Sequence, residues 1–261
     1  MKDELWGYDK SPYDEELLSF FGSDSGSVQK IDKRFSNISF TFICFHNRCG
    51  SNMLAEILGK SNINIAGEFL NPERVKKISS KHKFTSLVDY IFHIANELSI
   101  DGNFAIKCGY HQLMFLYKND YFGNIFQNYK FVHIKRKSVF KQVVSFEVAD
   151  ATKQWTSYQD KKNDITDINI ENNQILQRAK MFVLADIKFK VLLEFMQIDW
   201  IEINYEDIIA DPIKSSSELF SFLSLNNVEV NVNKLKIKKQ KDPLKDKLLK
   251  KFFEEASLPN N

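Results

Sequence analysis

The sequence predicts an α/β fold, a mostly parallel central sheet flanked by helices, and three observations carry that expectation. Short apolar runs of strand length alternate with stretches of helical periodicity. The first run, Phe40-Thr41-Phe42-Ile43-Cys44-Phe45, is apolar enough to be a buried strand, as parallel sheets covered on both faces require. Basic residues sit where the first three strands end: Arg48 after the first, Lys107 closing the second and Arg136 after the third. In open α/β sheets ligands gather at that edge.

Residues 1–37 have mixed polarity and a Gly/Ser cluster from Gly22 to Ser27, so they read as an N-terminal extension joined by a flexible turn to a single domain over 38–261. The first strand passes through the loop His46-Asn47-Arg48-Cys49-Gly50-Ser51-Asn52 into an amphipathic helix beginning Met53-Leu54-Ala55. Helices follow from Pro72 to Ser80 and from Phe84 to Ile100, the second on the spacing of Leu87, Val88, Ile91, Ile94, Ala95 and Leu98. A second strand, Phe104 to Cys108, leads to a helix around Gln112–Tyr117 and a third strand, Lys130 to Ile134. Ser138 opens the next amphipathic helix. After a polar loop from Lys153 to Asn173 come a long helix, Gln174 to Met196, a fourth strand, Trp200 to Ile203, and a helix after Pro212 running to Leu225. A charged terminal helix turns Leu244, Leu248 and Phe252 inward.

The first loop is the richest segment chemically. A strand delivering a Gly/Ser loop to a helix N-terminus gathers free backbone N–H groups and the positive end of the helix dipole, a setting suited to phosphate or sulfate. GxxxxGK[ST] is absent, so this is not a standard nucleoside triphosphate cradle. Arg48 offers a planar fork of donors and Ser51 a hydroxyl. The plainer alternative is a βα turn with Ser51 or Asn52 as helix cap.

Bulk properties exclude several classes. The 261 residues carry a net charge of +2 from 36 basic and 34 acidic side chains, which gives no global attraction to nucleic acid or an anionic membrane. The nine lysines between Lys234 and Lys251 have little aromatic interleaving and read as a solvated helix face. Three cysteines without CxxC or CxxH spacing suggest neither a disulfide framework nor a zinc site, and no histidine pair has metal-ligand spacing. No metal is expected. No apolar run approaches the ~18 residues of a transmembrane span. The acidic N-terminus does not match a signal peptide, so a cytoplasmic location is expected.

Arg136, nine residues ahead of Ser145, forms a second element: a basic residue off a strand end, then a hydroxyl two turns into the following helix. Together with the first loop this resembles a sulfotransferase, and the core from about 39 to 256 is most similar to the bacterial trehalose sulfotransferase family. Arg48 to Asn52 is similar to that family's RSGST loop, Ala66 to Pro72 to its acidic acceptor segment, and Lys107 to Gln112 to its GKLMWNQ segment. Val132–Arg136 through Gln142–Phe146 matches best, with Trp155 where the family also has tryptophan, and Lys238-Lys239-Gln240 resembles its C-terminal RQ segment. Cys49 stands for the family's Ser, Asn52 for its Thr and Lys239 for its Arg. Only Glu68 is present where the family offers two glutamates.

The resemblance implies a P-loop-like three-layer sandwich that moves a sulfuryl group from 3'-phosphoadenosine 5'-phosphosulfate (PAPS) to a hydroxyl, with a carbohydrate or glycolipid acceptor and a homodimer. It assigns Arg48, Cys49, Gly50, Ser51 and Asn52 to the 5'-phosphosulfate and Arg136, Ser145 and Lys239 to the 3'-phosphate. Arg48 also stabilises the leaving group. Lys107, Gln112, Trp155 and Glu68 are assigned to the acceptor, and Tyr110 and Phe69 join Trp155 as aromatic faces for a sugar. Glu68 is the candidate base, on the expectation that partial burial raises its pKa. Two other readings stay open: a small-molecule kinase dependent on ATP and Mg²⁺, and a non-catalytic module that binds PAPS or its product.

Overall fold

A computed structural model describes residues 12–21, 27–61, 63–157, 159–160, 162–163, 170–225, 235–236 and 243–256. Four parallel strands form one sheet: β1 (Ser39–Phe45), β2 (Asn103–Cys108), β3 (Asn128–Lys135) and β4 (Trp200–Asn204). Their order is β2-β1-β3-β4, so the chain reverses its direction of travel across β1 and opens a crevice where β1 and β3 end. In register, Cys44 faces Cys108 on one side and His133 on the other.

Among the described residues the helices of six residues or more are α1 (Pro12–Ser19), α2 (Ser51–Gly59), α3 (Pro72–Ser79), α4 (Leu87–Leu98), α5 (Tyr110–Lys118), α6 (Val139–Thr152), α7 (Asn172–Phe195), α8 (Tyr205–Ala210), α9 (Pro212–Leu223) and α10 (Pro243–Ala256). Local chemistry sets several of their starts. The Asn71, Ser86, Ser138 and Asp211 side chains accept from backbone N–H groups of the first turns of α3, α4, α6 and α9, and Pro72 and Pro212 stand at first helical positions. Among the described residues no helix is long and apolar enough to cross a membrane.

Both faces of β1 are buried, as its apolar run predicts. Phe40, Phe42 and Cys44 join one apolar cluster, Ile43 and Phe45 another. The first is aromatic: Phe126 meets Phe40 at 4.7 Å and Phe42 at 4.9 Å, both edge to face. The described parts of the segment read from sequence as an extension, 12–21 and 27–37, place Leu17, Phe21, Val28 and Phe35 in this same cluster. Tyr13 Oη also donates to the Leu70 carbonyl at 2.7 Å. A third cluster joins Val143, Val144 and Val148 of α6, Phe182 of α7, and Leu244, Leu248 and Phe252 of α10. The apolar stripe of the charged terminal helix is thus its buried face.

Candidate functional site

The site grows from the turn between β1 and α2. Arg48 adopts φ 66° and Gly50 φ 96°. The left-handed region costs a non-glycine residue about 1–2 kcal/mol. Tertiary bonds hold Arg48 there: Nε donates to Ser145 Oγ at 3.1 Å, and Nη1 donates to the Trp155 carbonyl. Gly50 is the N-cap of α2 and has no side chain to cap it, so neither Ser51 nor Asn52 plays the capping role of the plainer reading. The Tyr205 ring lies so close that a Cβ on Gly50 would stand 2.9 Å from its Cγ.

Arg136 follows β3. Its guanidinium lies over the Tyr205 ring, 5.1 Å from the centroid, and its Nε is 3.4 Å from Glu206 Oε1. Glu206 Oε2 accepts from the Lys137 backbone N–H at 2.9 Å, which fixes the carboxylate that steadies Arg136. Burial, reinforced by the charge of Arg136, lowers the pKa of the Arg48 guanidinium. The desolvated cation and its like-charged neighbour make the site favourable for an anion.

A second polar group lies beside the loop. Lys107, buried at the end of β2, donates from Nζ to Asn52 Oδ1 at 2.7 Å and to Glu68 Oε1 at 2.8 Å, and its Nζ lies 4.6 Å from the centroid of the Phe45 ring. The Glu68 side chain is partly buried, 38 % exposed, and is held in an ion pair with Lys107 that the sequence did not show.

One cavity of about 1040 Å³ collects these groups. Its lining includes Arg48, Gly50, Ser51 and Asn52 from the loop, Glu68 and Lys107, and Arg136, Ser145 and Trp155. Cys49 is not exposed there: it is fully buried, and burial pushes its thiol up to about 11, which suits a passive small residue. Gln112 is also outside the lining, since its Oε1 accepts from the Gly109 N–H at 2.8 Å and closes the first turn of α5. Phe69 is buried, and Tyr110 packs edge to face on Phe189, so of the three expected aromatic faces Trp155 alone meets the cavity. Lys239 lies outside the described residues, although Lys236 nearby donates its backbone N–H to Glu56 of α2 at 2.6 Å. Among the described residues no group of three or more His, Cys, Asp or Glu could hold a metal ion.

From sequence, Tyr205 and Glu206 read as structural residues and not as part of the site. Tyr205-Glu206-Asp207 reads by itself as a turn before the helix that Pro212 opens; here it forms α8 and supports both Gly50 and Arg136.

A family model described as Stf0 sulphotransferase matches residues 117–255, more than half of the chain. Mouse sulfotransferase SULT7A1, solved in complex with PAP, is similar at 12% identity and a TM-score of 0.41, over 94% of this chain and 73% of that one. A comparison with curated proteins returns no match. The span matched by the family model takes in β3, Arg136, Ser145, Trp155 and α8, and the chain belongs to the Stf0 sulphotransferase family of sulfotransferase enzymes.

Proposed function

We propose that the protein transfers a sulfuryl group from PAPS to a hydroxyl of a small-molecule acceptor, a carbohydrate or glycolipid, in the cavity at the carboxyl edge of β1 and β3. One observation carries the reading. Two guanidinium groups, the Ser145 hydroxyl and the N-terminus of α2 converge on a single cavity that also holds an ion-paired carboxylate. Cationic forks and helix N–H groups suit a ligand with separate anionic ends.

When bound, PAPS would supply the sulfuryl group and a nucleotide leaving group. Arg48, Ser51 and the backbone N–H groups of Gly50 to Asn52 hold the 5' end. Arg136 and Ser145, with Lys239, hold the 3'-phosphate. Arg48 adds positive charge where the leaving oxygen becomes negative, and the burial of its guanidinium strengthens that effect. Glu68 takes the proton from the acceptor hydroxyl as that oxygen bonds to sulfur and the bond from sulfur to the phosphate oxygen breaks. Lys107 orients Glu68 through the 2.8 Å ion pair and ties it through Asn52 to the anion loop. Trp155 offers the flat apolar surface on which a sugar ring packs. Three buried free cysteines fit a reducing, cytoplasmic setting.

The test is calorimetry with 3'-phosphoadenosine 5'-phosphate, repeated without its 3'-phosphate and with ATP plus Mg²⁺. The proposal expects micromolar binding that collapses when the 3'-phosphate is removed. No binding, or a preference for ATP plus Mg²⁺, would overturn it.

A further inference from the structure

The polar stretch after α6, expected from sequence as a loop, is tied by hydrogen bonds of its own. The Lys162 and Asn163 N–H groups donate to the Thr152 carbonyl at 3.0 and 3.4 Å, and Asn163 Nδ2 donates to the Ala151 carbonyl at 2.8 Å, which closes the stretch on the end of α6. Within it the bonds converge on Gln159. Its Oε1 accepts from the backbone N–H groups of both Trp155 and Thr156 at 3.0 Å, and its carbonyl accepts from Gln154 Nε2 at 2.6 Å. Gln159 itself is exposed and stands outside the cavity lining, which Trp155, Thr156 and Ser157 join.

We propose that Gln159 is a positioning residue for sulfuryl transfer, acting on the donor site through one peptide group. That peptide joins Trp155 to Thr156. Its N–H donates to Gln159 Oε1, and its carbonyl oxygen accepts from Arg48 Nη1. A trans peptide carries N–H and C=O on opposite edges, so the glutamine oxygen and the guanidinium grip the two edges of one rigid plane. Bonds in such a chain polarise one another, which makes the carbonyl a stronger acceptor for Arg48. Arg48 needs that hold, since it sits at φ 66°. The indole is carried by the same backbone and packs edge to face on Phe146 at 5.5 Å. One glutamine oxygen therefore sets both the arginine that meets the donor and the aromatic wall offered to the acceptor. The part in sulfuryl transfer rests on the PAPS reading above; the clamp on Arg48 does not.

A residue that only folded its own loop would affect Trp155 and leave Arg48 alone. Here one peptide joins the two, so a change at Gln159 reaches the donor site only while Arg48 is present. Both bonds to Oε1 lie at an exposed position where water competes, so losing that oxygen should weaken donor binding by about tenfold without abolishing it.

Two measurements on the full chain test this: calorimetry with 3'-phosphoadenosine 5'-phosphate, and acrylamide quenching of Trp155 fluorescence without ligand. The Trp155 signal is the difference between each protein and its Trp155→Phe counterpart. Gln159→Leu, an exposed change that deletes the oxygen, should weaken nucleotide binding about tenfold and raise the quenching of Trp155. Gln159→Glu keeps an acceptor oxygen at the same reach and should restore both. In an Arg48→Ala background Gln159→Leu should cost no further affinity while still raising the quenching. Unchanged quenching or unchanged affinity in Gln159→Leu, a Gln159→Glu that fails to restore them, or an equal loss of affinity without Arg48 would each overturn the inference. A wild type that binds no nucleotide overturns the proposed function instead, and quenching then decides the clamp alone.

Discussion

Gly50→Ala probes the anion loop most directly. The residue sits at φ 96°, where a side chain costs about 1–2 kcal/mol. The new Cβ would also stand 2.9 Å from Tyr205 Cγ, at least half an ångström inside ordinary contact, and overpacking of this kind costs about 1–3 kcal/mol. Together the two effects come to about 3 kcal/mol, which lowers the melting temperature of a chain this size by roughly 6–12 °C. Function should suffer further, because the displaced ring is the one under Arg136. The assay is a double-mutant cycle in thermal melts with Tyr205→Ala. In that background the overlap is gone and Gly50→Ala should cost only the backbone part, about 1–2 kcal/mol. An equal cost in both backgrounds would refute the argument that Tyr205 and Gly50 are fitted to each other.

Three further outcomes are expected. Glu68→Gln should lower turnover by about 10²–10⁴-fold in single-turnover assays while leaving nucleotide affinity unchanged; a loss of only a few-fold would remove the base role. Lys107→Met, which keeps the buried stem and deletes the ammonium, should abolish most activity with little change in melting temperature, and full activity would show that Glu68 needs no anchor. Burial raises the Cys49 thiol pKa to about 11, so the thiol stays protonated at neutral pH and its thiolate increases only as pH climbs toward that value. Alkylation of Cys49 followed by mass spectrometry should be negligible at neutral pH, and rapid labelling there would contradict the buried placement.

The legible parts of this chain were those in which local sequence and tertiary role coincide. The run Phe40 to Phe45 is apolar because both sheet faces are covered, and Ser138 announces α6 because capping is a local bond. The stripe of Leu244, Leu248 and Phe252 gave the packing of α10 for the same reason. Long-range contacts were less visible. That Arg48 bonds Ser145, 97 residues away, joins two groups assigned to opposite ends of one ligand, and no spacing rule predicts it. Gln112 matches a binding motif yet spends its amide on a helix start. α8 is only six residues long, too short to display a helical period, so Tyr205 and Glu206 looked like a turn.

The bond from the Lys236 backbone to Glu56 has a consequence for how the protein is made. The partners are 180 residues apart, and ribosomes add about 5–20 residues per second, so α2 waits roughly 10–35 s for its last neighbour. Early in that interval the phenylalanine-rich first strand has left the ribosome before β2 and β3, the strands that pair with it, have been made. Yield in a recombinant host should therefore depend on holdase chaperones more than on the stability of the finished fold, and slower growth at low temperature should favour soluble protein.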